Sequence, residues 1–203
     1  VNGKLSKMNL SAKTRNGLIA VKKPVFPFNK FPRQNVFLSP EMKSTGEVIG
    51  FDTHLGSAYA KAESGAGNSL PVDGTVFISV NDSDKIAVIP MARDFKELGF
   101  VIMATEGTAQ LLSENGVPAN PIFKVGEGRP SVVDAIKNGE VQLVVNTPLG
   151  AQSRFDEYEI GRSAIRYKVP VITTISGAQA AIRGIRNIKS GSIQYRSLQE
   201  VFT

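Results

Sequence analysis

From Thr75 onward the chain alternates between short β-branched apolar runs and segments with helical spacing, and that alternation constrains the fold more than any other feature. Strands are expected at "TVFISV" (75–80), "FVIMA" (100–104), "NPIFK" (120–124), "VQLVVN" (141–146) and "PVITT" (170–174). Helices are expected between and after them, near 84–98, 107–115, 131–138, 156–168 and 177–187. Five strand–helix repeats predict an α/β fold: a Rossmann-like parallel five-stranded sheet with helices on both faces. Pro90 lies inside the first helical segment and predicts a late start or a kink there.

The residues before Thr75 have another texture. In "VKKPVFPFNKFPRQN" the prolines Pro24, Pro27 and Pro32 exclude a regular helix and predict an irregular or edge segment. Residues 1–50 are short of core-forming side chains and are expected to dock onto another part of a longer protein, poorly ordered when isolated. Residues 51–74 contain a helical stretch, "GSAYAKAE", followed by "SGAGNSLPVDG", which reads as a linker.

Charge and residue usage exclude several functions. The formal charge is +6, yet the excess sits in residues 1–43, where Lys4, Lys7, Lys13, Arg15, Lys22, Lys23, Lys30, Arg33 and Lys43 face the single acid Glu41. The arm carries no base-reading motif, so no nucleic-acid partner is expected. With no cysteine and only His54, the chain has no means for a disulfide framework or a thiolate metal site, and little for histidine-centred catalysis. No apolar run approaches the roughly 20 residues that span a bilayer, so no membrane association and a cytoplasmic location are expected.

Parallel sheets bind ligands beyond the carboxyl ends of their strands, where loops and helix N-termini converge. At those ends stand Ser79 and Lys85 after the first strand, Thr105, Gly107 and Thr108 after the second, Lys124 after the third, and Asn146 and Thr147 after the fourth. Two lysines, several hydroxyls and an amide suit a phosphorylated ligand, since lysines supply point charges and hydroxyls and helix-start N–H groups supply directional donors. Each residue also has an ordinary reading: Thr105 and Thr108 as helix caps, Asn146 as a turn former, the lysines as solvated surface. The loop "KVGEGRPSVVD" adds Glu127 and Arg129, able either to close over a ligand or to form an exposed pair.

The stretches "PFNKFP" (27–32), "PEMKSTGEVIG" (40–50), "AYAKAE" (58–63), "ATEGTA" (104–109), "KVGEGRPSVVDAIKNGE" (124–140), "VVNTPLG" (144–150), "RSAIRYKVPVITT" (162–174) and "GAQAA" (177–181) carry a resemblance. In that order they are similar to the C-terminal end of the large subunits of carbamoyl phosphate synthetases. The resemblance implies that residues 1–50 are the tail of an ATP-grasp synthetase unit, 51–74 a helix and linker, and 75–203 a methylglyoxal-synthase-like allosteric domain. It further implies a phosphorylated nucleotide effector, UMP or UTP foremost, at Ser79, Lys85, Thr105, Thr108, Lys124, Asn146 and Thr147. The parent would be an ATP-dependent, glutamine-hydrolysing ligase using Mg or Mn, serving pyrimidine and arginine synthesis in the cytoplasm or in a eukaryotic organelle. Its partners would be the rest of the large subunit, the glutaminase subunit and other copies of itself. The segment that holds ATP and metal in the family lies upstream of these stretches, so no cofactor and no carbamoyl phosphate synthesis are expected of this chain alone.

Two departures qualify what the resemblance implies. Pro148 replaces a threonine and Gly150 is followed by Ala151 and Gln152 where the bacterial pattern has arginines, which argues against purine nucleotide binding. At the family's ornithine contacts Phe26 matches a bulky apolar residue, but Lys23 stands for a glutamate and only Thr173, beside Ile172, remains of an Asp-Thr pair, which argues against ornithine activation. Two other functions remain open. One is a structural or oligomerisation module without effector binding. The other is a methylglyoxal-synthase-type lyase, although that chemistry uses an aspartate and a histidine where this chain has Glu127 and no nearby histidine.

Overall fold

The computed structural model describes residues 17–25, 46–148, 154–197 and 199–200. The sheet is five-stranded and parallel, with strands β3 (Thr75–Val80), β4 (Val101–Thr105), β5 (Asn120–Ile122), β6 (Leu143–Thr147) and β7 (Val171–Ile172) in the order β5-β4-β3-β6-β7. The helices are α2 (Lys85–Glu97), α3 (Glu106–Glu114), α4 (Val132–Lys137), α5 (Arg154–Tyr167) and α6 (Ile175–Lys189). The interior strands are apolar because both their faces are covered. Val76, Ile78, Ile102, Ala104, Leu143 and Val145 pack with Val88, Met91 and Phe95 of α2, Leu112 of α3 and Ile182 and Ile185 of α6. Phe77, Met103 and Val144 point the opposite way, onto Val132 and Ile136 of α4 and Ile160 of α5. The exposed edges are only three and two residues long, which limits the backbone open to foreign pairing.

Two differences from the sequence expectations have local causes. Pro90 does not delay α2, which starts at Lys85 and runs through it. The carbonyl that an N–H at Pro90 would have satisfied belongs to Ile86, which is 86% exposed, so water can serve it. The strands also shift by one or two residues, since pairing decides the ends: Thr147 joins β6 opposite Val80, and β7 keeps only Val171 and Ile172. Helix ends follow turn chemistry. Gly116 after α3 and Gly139 after α4 adopt φ of 77° and 74°, letting Val117 and Glu140 return N–H bonds of 2.9 Å to Leu112 and Ala135.

Part of the segment read as irregular is ordered. β1 (Ile19–Val25) and β2 (Gly46–Asp52) pair antiparallel as a two-stranded ribbon, with Pro24 on an edge strand as its missing N–H demands. The ribbon packs on α1 (Leu55–Gly65), which in turn packs on α6. An isolated hairpin is marginal in water, so these helix contacts hold it. Two ion pairs clip it down: Lys61 to Asp52 at 2.8 Å, and Lys23 to the buried Glu63. Its second strand, β2, runs across the point where the sequence texture changes, near residue 50. Residues 1–16, 26–45 and 149–153 lie outside the described residues, and with them "PFNKFP", Phe26, Gly150, Ala151 and Gln152.

Candidate functional site

The strand register places the rim residues. Ser79 pairs with Asn146, and because Ile78 pairs with Ala104, Thr105 stands level with Ser79 on the other side. Side chains alternate along a strand, so Ser79, Thr105 and Asn146 share the face of Phe77, Met103 and Val144. They form a polar row across three neighbouring strands at the carboxyl end of the sheet, on the side that α4 and α5 cover. Asn146 is 8% exposed, and its amide makes no hydrogen bond to another described residue. No fully buried side-chain nitrogen or oxygen among the described residues lacks a partner, so the small exposed part of Asn146 leaves its amide open at the rim.

Thr105 opens α3 but does not cap it. Its hydroxyl is 3.3 Å from the Thr108 hydroxyl, both residues are buried, and no side chain caps the helix. At α6, by contrast, the Thr174 hydroxyl accepts from the Gly177 N–H at 3.1 Å. The first N–H groups of α3 are therefore left without the side-chain partner that α6 has, beside two hydroxyls and Gly107, above which a Cβ would meet nothing within 4 Å. Thr147 sits one residue on from Asn146, which turns it to the opposite face with Val80. There Asn81 takes it up: the Asn81 amide donates to the Thr147 carbonyl at 3.0 Å and its hydroxyl at 3.2 Å, and also to Asp84 at 2.8 Å. The structure thus groups Ser79, Thr105, Thr108 and Asn146, and sets Thr147 apart from them.

Both rim lysines are engaged by acids of their own loops. Lys85 contacts Asp82 at 2.7 Å, and Lys124 lies 3.8 Å from Glu127. The Asp82 carboxyl is held below its ordinary range by its hydrogen bond and charge contact with Lys85 and, more weakly, by Lys124, which places both lysines in one electrostatic neighbourhood. Asp156, in the first turn of α5, joins them. Burial pushes its carboxyl up, opposed by Lys124 and reinforced by Glu127. A carboxyl raised in the folded state holds its proton where the unfolded chain has lost it, so its stabilising contribution disappears as pH rises. Asp156→Asn is accordingly expected to melt above the wild type at pH 7 and to converge with it as the pH falls below 3.8, in paired thermal scans.

The sequence expectations did not single out Asn81, Asp82 or Asp156. The position of Asn81 just past the carboxyl end of the first strand of the sheet was the available signal. His54 is far from the rim in its contacts: its ring meets Thr53 at 3.1 Å and Asp52 at 3.7 Å, on the ribbon. Among the described residues no group of three acids or histidines converges as metal ligands do. No helix among them is long and apolar enough to cross a membrane.

The chain is similar to known proteins along nearly its whole length. The family model of the MGS-like domain matches residues 87–173. The carbamoyl phosphate synthase large chain of Nostoc sp. is 47% identical over 196 residues, which cover 97% of this chain and 18% of that protein. The carbamoyl phosphate synthase large chain, C-terminal section, of Methanopyrus kandleri is 46% identical over 186 residues, 91% of this chain and 34% of that one. Among solved structures, methylglyoxal synthase from Elizabethkingia anophelis NUHP1 aligns with a TM-score of 0.44 and 16% identity, covering 56% of this chain and 79% of that one. The chain spans less than a fifth of the Nostoc relative. On these identities it belongs to the carbamoyl phosphate synthase large-chain family, as a C-terminal part that carries the MGS-like domain.

Proposed function

We propose that this chain is the regulatory part of a carbamoyl phosphate synthase and that its rim binds a phosphorylated nucleotide, a uridine nucleotide first. The observation that carries this reading is the polar row itself: Ser79, Thr105 and the nearly buried Asn146 stand side by side on three neighbouring strands, next to the uncapped start of α3. The phosphate would lie against the Thr105 and Thr108 hydroxyls and the first N–H groups of α3, a ready anion site. Lys85 and Lys124 supply charge, and the Asn146 amide bonds the sugar or base. The parent's ATP and Mg or Mn, its ligase reaction in pyrimidine and arginine synthesis, and its glutaminase partner belong to the same reading. In that reading the metal and ATP are held by the synthetase unit that precedes this part in the family.

Each charge-assisted hydrogen bond to the phosphate is worth about 1.5–3 kcal/mol. Thr108→Ala is therefore expected to weaken UMP binding about 10- to 100-fold, at about 1.4 kcal/mol per decade, with the melting temperature little changed. Lys124→Ala is expected to flatten the salt dependence as well. Calorimetry with UMP, UTP and IMP on the wild type and both variants checks this. Unchanged affinity in Thr108→Ala makes the threonine a structural residue only. Absence of nucleotide binding below millimolar concentration hands the site to the second reading, a structural or self-associating module, which Pro148 in place of a threonine favours. A methylglyoxal-synthase-type lyase lacks support, because the rim holds no histidine and its glycine-flanked acid, Glu127, lies beside Lys124.

A further inference from the structure

Neither of the two rim lysines is free among the described residues. Lys85 is 39% exposed and pairs with Asp82, three residues back; Lys124 is 48% exposed and pairs with Glu127, three residues on. Both acids lie in short loops at the carboxyl end of the sheet, Asp82 in the single 3-10 turn Asp82–Asp84 and Glu127 in the glycine-flanked loop. Asn81 orders the first of these loops. Its side-chain oxygen accepts from the Ser83 N–H at 2.9 Å, and its amide donates to Asp84 and across to Thr147. Asp82 is 93% exposed and has no packing role to account for its position.

Resting on the effector-site reading above, we propose that Asp82 and Glu127 are internal counter-anions that occupy Lys85 and Lys124 in the unliganded chain, so that only a terminal phosphomonoester dianion displaces them. Charge sets this selectivity. A carboxylate and a phosphodiester each carry one negative charge, so exchanging the first for the second on a lysine gains little. A phosphomonoester carries between −1.5 and −2 near neutral pH and offers three strong acceptor oxygens. It can take both lysines at once, together with the α3 N–H groups. Exposed pairs of this kind are weak, so they can be displaced by the right ligand and still exclude the wrong one. The Asp82 carboxyl senses Lys124 as well as Lys85, and Asp156 senses Lys124 and Glu127, so the masks and the lysines act within one field. With Asp82, Glu127, Asp156 and the exposed Glu106 beside two lysines, the unliganded rim is not a general polyanion surface.

The test is a gain of affinity, which a merely structural role for these acids would not produce. Asp82→Asn and Glu127→Gln are each expected to tighten UMP binding about 3-fold, and the double variant about 10-fold, in calorimetry at low salt. Uridine 2′,3′-cyclic monophosphate, a diester with one charge, is the discriminating probe. The wild type is expected to prefer UMP to it by more than about 30-fold, and the double variant to lose much of that preference. In a Lys85→Gln background the Asp82→Asn gain is expected to vanish. If the wild type binds UMP and the double variant binds it no better, the masking proposal is wrong while the effector site stands. If neither binds UMP or inorganic phosphate, both fail. If only the double variant binds, masking is stronger than proposed and the site is confirmed with it.

Discussion

Gly56→Leu is expected to destabilise the chain by about 3 kcal/mol or more, measured by urea denaturation, because there is no room between α1 and α6 for a side chain at that position. A Cβ on Gly56 would lie 2.6 Å from the Arg183 carbonyl carbon, and one on Gly184 would lie 3.0 Å from the Gly56 oxygen. Backbone cannot swing aside as a flexible side chain does, so the two helices must separate. Even alanine sets two effects against each other. Helix propensity favours it over glycine by about 1 kcal/mol, but a contact this short with main chain costs about 1–3 kcal/mol, and the contact wins. Gly107→Ala is the control, since a Cβ there meets nothing within 4 Å; it is expected to be neutral or stabilising by up to about 1 kcal/mol. A Gly56→Leu variant as stable as the wild type would mean that α1 and α6 do not pack in this way. The same close approach recurs one layer out, where a Cβ on Gly50 of β2 would sit 2.1 Å from the Ala58 oxygen. Ribbon, α1 and α6 are thus stacked backbone to backbone.

Lys23→Met is expected to cost about 3–5 kcal/mol, because it strands the Glu63 carboxylate inside the protein. The Glu63 side chain is only 6% exposed, and Lys23 is its ion-pair partner across 40 residues of sequence. Beside them Tyr59 is largely buried, and burial together with the Glu63 charge pushes its phenol well above the ordinary range. Tyr59 thus stays neutral and cannot replace the lysine as a counter-charge. Methionine keeps most of the lysine stem, so the loss measures charge rather than packing. The double variant Lys23→Met, Glu63→Leu is expected to recover most of the stability, since an apolar pair of similar volume replaces a buried ion pair at little cost. Chemical denaturation of the two single variants and the double variant closes the cycle, and an additive double variant would rule out the pairing.

What could be read from the sequence was whatever depends on neighbours along the chain. The runs "TVFISV" and "VQLVVN" and the helical spacing between them specified a parallel sheet covered on both faces, and strand–helix order alone put Ser79, Thr105, Lys124 and Asn146 at one rim. Family membership was equally legible, since it rests on residue strings. Tertiary structure decided the pairings that cross the chain. Register turned Asn146 into the polar row and Thr147 away from it, a difference of one residue that no local pattern reports, because strand periodicity is two and the absolute face is set by the neighbouring strands. The Thr105–Thr108, Asp82–Lys85 and Lys124–Glu127 pairs are local in sequence but depend on side-chain rotamers that no residue pattern specifies, whereas Asn81 takes Thr147 across 66 residues. The ribbon was hidden for the same reason. β1 and β2 are separated by a long stretch of chain and gain their stability from α1, which itself packs on α6. Local propensity is a property of a few consecutive residues, whereas burial, charge pairing and register are properties of residues that meet only when the chain has folded.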